Sequence, residues 1–349
     1  MLEQFRDRMD IDKFSHPELV DTYAMADVAP LTENGAIYDQ SVPFEERKKI
    51  SADMEAMFRE AMGAPRGAVE VDIPGCPEEP EVGAHLTWIR PKKLEGEKLP
   101  AVLVIPGGAL YNCTDSASPI ADYAKKYSAL VAVVRYRTTF ADGGGYPGTL
   151  NDCHAAYQYL VDNAEELNID PKKIVIIGMS TGGHLALALA HRLKRYGIVP
   201  RGVQAIGGIA DDRTGDQFPS TNVREVAWNG EDLRVSSKEY LGWPDDDAPV
   251  SPEAFANRAT VEECVGLAPH ALHVFDGDPS LDANLQYTSK LVQAGVFVNL
   301  SVWGGSNHEA LINAYLTEMY DEEGTVAQRY IQTVDEEVCE FLKHDLTRQ

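Results

Sequence analysis

From about Pro100 onward, short runs rich in apolar and β-branched residues alternate with segments whose apolar residues recur at helical spacing. No other feature constrains the fold as strongly, because this rhythm implies crossover connections between parallel strands. The runs are AVLVIP, ALVAVVRY, IVIIGMS, VQAIGGIA, ALHVFDG and FVNLSVW. Between them NDCHAAYQYLVDNAEEL and GGHLALALAHRLKRYG read as helices, the second stopped by Gly197 and Pro200. The expected fold class is α/β, a mostly parallel central sheet with helices on both faces. HLTWIR alternates apolar and polar residues and reads as an earlier strand in an antiparallel start to the sheet.

Two regions break the rhythm. Residues 1 to about 75 read as a helix-rich, acidic segment with no strand pattern, including FEERKKISADMEAMFREAMG. Residues 211 to 265 hold Trp228, Trp243 and the acidic run Asp245, Asp246 and Asp247, and read as a lid or cap insertion over the carboxyl edge of the sheet. The organisation expected is an N-terminal helical cap segment, 1–75, and a catalytic domain, 76–349, with the insertion inside it. The length of 349 residues suits one such domain carrying a lid.

Thirty-one basic against 55 acidic side chains give a formal charge of −24, which repels nucleic acid and anionic membrane surfaces. No apolar run is long enough to cross a bilayer, so neither nucleic acid nor membrane is expected as a partner. The N-terminal stretch MLEQFRDRMDIDKF lacks the apolar core of a secretory signal, and a cytoplasmic protein is expected. Cys76, Cys113, Cys153, Cys264 and Cys339 are scattered without the paired spacing of zinc sites; they read as free thiols, with no metal.

Chemistry enters at Gly178-Met179-Ser180-Thr181-Gly182, a G-x-S-x-G element. Four β-branched residues, Ile174 to Ile177, lead in and an apolar helix leads out, which is the strand-to-helix context that exposes a nucleophilic serine. The helix directs amide dipoles at the reacting centre, and the Thr181 N–H is the expected first oxyanion donor. A serine hydroxyl needs a base, and that base an orienting acid. In the chain order serine, acid, histidine, His184, His191, His270 and His273 come too early, and His344 lies on a charged terminal helix. His308, in the loop GGSNHEAL after the last strand, remains. The acid lies among Asp276, Asp278 and Asp282; Asp278 is preferred, since Asp276 still belongs to the strand end and Asp282 suits the start of the next helix. The run VIPGGALY leads into Gly107-Gly108-Ala109, where such a fold keeps its remaining oxyanion donors. The large side chains of Tyr111, Trp228 and Trp243 are expected to bind substrate and to limit acyl length.

The stretch from about Pro100 to Ala310 resembles the hormone-sensitive-lipase-like branch of the α/β-hydrolase fold esterases, with a likeness to acetyl esterases. The resemblance rests on VIPGGALY, VVRYRTTF with YPGTLNDCHAAYQYL, IDPKKIVIIGMSTGGHLA, and DPSLDANLQYTSKLVQAG with NHEAL. It implies Ser180 as nucleophile, Asp278 as the first aspartate of a D-P-x-x-D element, and His308 as base. Gly108 and Ala109 match the second and third glycines of the family's H-G-G-G motif, whose amides form the oxyanion hole with that of Thr181. Pro106 stands for its histidine, and Gly183-His184 is closer to sugar acetyl esterases and arylformamidases. The implied function is a serine carboxylesterase acting on small, short-acyl esters through an acyl-enzyme, with no cofactor. An arylformamidase, amidase or sugar acetyl esterase with the same triad is the alternative, and a non-catalytic binding protein on this scaffold a weaker one. Assembly into a homo-oligomer is left open.

Overall fold

The apolar runs become the inner strands of an eight-stranded sheet in the computed structural model, which describes residues 37, 39–62, 65–94, 96–115, 118–222, 228–245, 247–308 and 326–347. In chain order the strands are β1 (Val69–Ile73), β2 (Ala84–Ile89), β3 (Leu99–Ile105), β4 (Leu130–Arg135), β5 (Ile169–Met179), β6 (Gly202–Ile206), β7 (His270–Phe275) and β8 (Val298–Trp303). The spatial order is β1-β2-β4-β3-β5-β6-β7-β8. β2 pairs antiparallel with β1 and β4, and β4 through β8 run parallel. HLTWIR thus supplies the antiparallel start. The segment read as strandless up to residue 75 nevertheless contains β1: VEVDI is a short, mostly exposed edge strand, and its acidic alternation is what hid it among acidic neighbours.

The helices among the described residues are α1 (Phe44–Met62), α2 (Ile120–Tyr127), α3 (Gly148–Asp162), α4 (Thr181–Arg195), α5 (Gly230–Tyr240), α6 (Val261–Cys264), α7 (Leu281–Gln293) and α8 (Val326–Lys343). Strand periodicity sorts the core into two layers. Leu103, Ile105 and Ile176 face Leu150, Leu160, Leu185 and Tyr287 of α3, α4 and α7. Val102, Val104, Val175 and Ile177 face Tyr123 of α2 and Val334, Val338 and Phe341 of α8. With both faces covered, the inner stretch of β5 from Ile174 to Met179 is wholly apolar and buried. Past α4, Gly197 adopts a φ of 71° and its N–H bonds Lys194 O, so the expected stop glycine works as a left-handed cap.

The insertion packs down rather than projecting. Trp228, Leu233, Tyr240 and Phe255 belong to the larger core cluster, and Asp212 pairs with Arg258 across the insertion. Residues 1–36, 38, 63–64, 223–227 and 246 of the two presumed cap segments lie outside the described residues. All five cysteines are free thiols, four of them buried. Among the described residues, no helix is long and apolar enough to cross a membrane.

Candidate active site

β5 ends at Met179 and α4 begins at Thr181, which leaves Ser180 alone to make the turn, at φ 55° and ψ −124°. A non-glycine residue held there stores about 1–3 kcal/mol of backbone strain, which the packing on either side must hold. The two glycines of the motif are steric necessities. A Cβ on Gly178 would stand 2.0 Å from Gly182 O, and one on Gly182 would stand 1.9 Å from Ile105 O.

The Ser180 hydroxyl lies 2.8 Å from His308 Nε2, and His308 Nδ1 lies 2.6 Å from Asp278 Oδ2. The direction of these bonds follows from the far end of the chain. Asp278 Oδ1 already accepts the backbone N–H and the hydroxyl of Ser280, both at 2.7 Å, so Asp278 acts as a carboxylate acceptor. His308 Nδ1 therefore donates to it, and Nε2 is left to accept from Ser180. Asp278 and His308 are both buried, which strengthens each of these bonds. The three residues expected to react thus meet at one place.

The other two aspartates have different partners. Asp276 accepts the backbone N–H groups of Gly305 at 2.9 Å and Ser306 at 3.1 Å, and so fixes the loop that carries His308. Asp282 lies in the first turn of α7 but does not cap it; its carboxylate accepts the Ser220 N–H at 2.7 Å and ties α7 to the insertion.

The loop after β3 runs against the nucleophile, since a Cβ on Gly107 would stand 3.1 Å from Ser180 Cβ. Gly108 sits at φ 129°, where a Cβ would meet Asn112 O at 2.0 Å, so only glycine fits. Ala109 follows at φ 56°, a left-handed conformation that costs an alanine about 1 kcal/mol relative to glycine. The Gly107 carbonyl accepts from the Thr114 N–H at 3.3 Å and from the Tyr136 hydroxyl at 3.1 Å. Because the peptide is planar and trans, the Gly108 N–H points to the opposite side. Among the described residues, the amides of Gly108, Ala109 and Thr181 have no intramolecular acceptor. Burial pushes the Tyr136 hydroxyl well above its ordinary value, which keeps it a donor. Tyr136 and Ser280 were not legible as site residues, although the Asp-Pro-Ser spelling does signal a side-chain turn.

The three residues expected to bind substrate are placed differently from one another. Trp228 stands beside His308, ring centroids 5.6 Å apart and planes tilted by 31°. Tyr111 offers a ligand no accessible surface: it is fully buried, stacks on Phe140 at 4.7 Å, and its hydroxyl bonds Glu239 of α5. Glu239 is also held by Arg47 of α1 at 2.6 and 3.0 Å. Tyr111 therefore tethers the loop after β3 to α1 and α5. Trp243 lies half exposed in the turn that ends α5, its N–H bonded to Lys238 O at 2.7 Å, away from the triad's contacts.

Among the described residues one set of metal-type side chains converges, Cys76, Glu78 and His154. Burial disfavours the Glu78 carboxylate, but Tyr196, Arg192, Cys76 and Arg195 outweigh it and hold its pKa down to about 2. With two guanidinium groups on the same carboxylate, an ion-pair network accounts for this cluster and a cation does not fit it.

A family model described as the alpha/beta hydrolase fold matches residues 106–312. The esterase LipU of Mycobacterium tuberculosis is 30% identical over 223 residues, covering 61% of this chain and 71% of that protein. An ethyl acetate hydrolase of Pseudomonas putida is 27% identical over 219 residues, covering 62% and 67%. Among solved structures, a bacterial heroin esterase superposes with a TM-score of 0.77 at 27% identity, over 95% of this chain and 98% of that one. Family match, sheet order and relatives converge on one enzyme class. The chain belongs to the alpha/beta hydrolase fold family, in its hormone-sensitive-lipase-like branch, and is a serine hydrolase of the carboxylesterase kind.

Proposed function

We propose that this enzyme hydrolyses small carboxylic esters with short acyl groups, with Ser180 as nucleophile, His308 as general base and Asp278 as the acid that orients it. The observation that carries the reading is the continuous chain Ser180–His308–Asp278 at 2.8 and 2.6 Å. Ser180 Oγ adds to the ester carbonyl while its proton passes to His308 Nε2. The oxyanion then accepts from the amides of Gly108, Ala109 and Thr181, which face it without having to reorganise. The C–O bond to the alcohol breaks as His308 returns the proton to the leaving oxygen. Water, deprotonated by the same imidazole, releases the acid and restores Ser180. Asp278 keeps its charge throughout and offsets that of the imidazolium.

Short acyl groups are favoured by Trp228, which fills the space against the base. One relative is named for ethyl acetate, an acetate ester. The likeness to sugar acetyl esterases at Gly183-His184 does not extend to the site: His184 is buried, bonds Ile209 O at 2.9 Å and packs between Tyr240 and Phe255. α1 and the insertion form the cap over the site, joined by Arg47 and Glu239. Five free thiols favour an intracellular setting.

A series of p-nitrophenyl esters from acetate to laurate, beside acetylated xylooligosaccharides and N-formylkynurenine, tests the substrate class. The highest kcat/KM is expected between acetate and hexanoate. Faster hydrolysis of laurate than butyrate below the micelle concentration contradicts it, and so does a preference for the formamide.

A further inference from the structure

Of the contacts that His308 makes with Asp278, Ser180 and Trp228, only the first two have a part in the mechanism above. Asp278 holds Nδ1 and Ser180 holds Nε2; Trp228 covers the ring. The two rings are tilted by 31° with centroids 5.6 Å apart, which brings the imidazole within reach of the indole face. That face carries the negative end of the indole quadrupole and attracts a cation within about 6 Å. The imidazole becomes such a cation only once Ser180 has given up its proton.

The placement is built. Trp228 precedes Asn229, whose side chain caps α5 by accepting Glu231 N–H at 2.8 Å and Asp232 N–H at 3.2 Å, while Asp232 accepts the Asn229 N–H in return. The other end of α5 carries Glu239, gripped by Arg47 and by Tyr111 of the oxyanion loop. One helix therefore reaches the base at its start and the oxyanion loop at its end. The indole is buried, so little water competes for the cation.

We infer that Trp228 acts through the base: its indole face stabilises the His308 imidazolium that forms during acyl transfer, so the insertion contributes to the chemical step as well as to substrate fit. This rests on His308 being the general base. Among the described residues, the carboxylates bonded to the histidine loop are Asp278, at His308 Nδ1, and Asp276, on the amides of Gly305 and Ser306.

The test is the pH dependence of kcat/KM on p-nitrophenyl acetate for Trp228→Phe and Trp228→Leu. Loss of the indole lowers the affinity of His308 for its proton, so the acid limb moves to lower pH. The plateau kcat falls by about threefold to thirtyfold in the leucine variant, with phenylalanine between. If the indole only shields the base, leucine admits water, which stabilises the imidazolium and moves the limb to higher pH. A shift in that direction, no shift, or a change confined to KM overturns the inference. Fluorinated tryptophans placed at position 228 weaken the face at nearly constant shape, and a graded fall in kcat with fluorination is expected even if leucine impairs folding; a flat series overturns it. His308→Ala separates the two levels: if it retains activity, the triad reading fails, whereas an inactive His308→Ala beside an unshifted Trp228→Leu sinks this inference alone.

Discussion

Asp276 and Asp278 leave the end of β7 two residues apart and grip different parts of one loop, Asp278 the His308 imidazole and Asp276 the backbone ahead of it. Their replacements should therefore fail differently. Asp278→Asn keeps the shape but favours the wrong imidazole tautomer, and kcat should fall by about three to four powers of ten. Asp276→Asn loosens the loop and should cost both activity and melting temperature, since one amide oxygen replaces the two oxygens that Gly305 and Ser306 now use. Asp282→Asn, bonded to Ser220 in the insertion, should stay within a few-fold of the parent. Steady-state kinetics beside thermal melts check the order; a larger kcat loss in Asp276→Asn or Asp282→Asn at equal melting temperature assigns the acid elsewhere.

The Tyr136 hydroxyl lies 2.9 Å from Pro106 O and 3.1 Å from Gly107 O, and it helps set the direction of the amides that follow. Tyr136→Phe should lower kcat by about tenfold to a hundredfold with KM little changed, because these amides act on charge that exists only in the transition state. An equal loss in the two parameters, or none, means that the loop holds its shape without the hydroxyl.

Three buried histidines set the acid limit of the fold. Burial holds His184 and His270 down to about 4 and His191 to about 3, the last aided by its neighbours His270 and Lys194. Their native forms stay neutral while the unfolded chain takes up protons below about pH 6.5, so stability is complete above that value and falls as pH drops toward the folded values. At pH 5 each should cost about 2 kcal/mol relative to pH 7.5. Urea unfolding at the two pH values reads this, and His270→Gln should remove about one third of the slope. Equal stability at both pH values contradicts the neutral burial of these rings.

The inner sheet was legible because parallel strands buried on both faces are mostly apolar, and β3 to β7 announce themselves that way despite the buried Gln204, His270 and His273. The G-x-S-x-G turn was legible because one strand–turn–helix unit carries it, and Gly178 answers to Gly182 within that unit. β1 was missed, since an edge strand needs only one covered side, and VEVDI carries two acids in five residues. At the site, what the sequence did not show was contact between distant segments. Tyr111 is large and adjacent to the oxyanion loop, yet nothing local says that Glu239 and Phe140 enclose it. Trp228 and Trp243 look alike in sequence, and only the packing of α5 puts one on the base and leaves the other half exposed.

The proposed mechanism makes Ser180 the single reactive serine, and active-site labelling measures that directly. A fluorophosphonate should modify the enzyme at one residue per chain, Ser180, with complete loss of esterase activity. Ser180→Ala should take no label and lose about four or more powers of ten in kcat while melting at the parent temperature. Labelling at another residue, or a Ser180→Ala enzyme within tenfold of the parent rate, contradicts it.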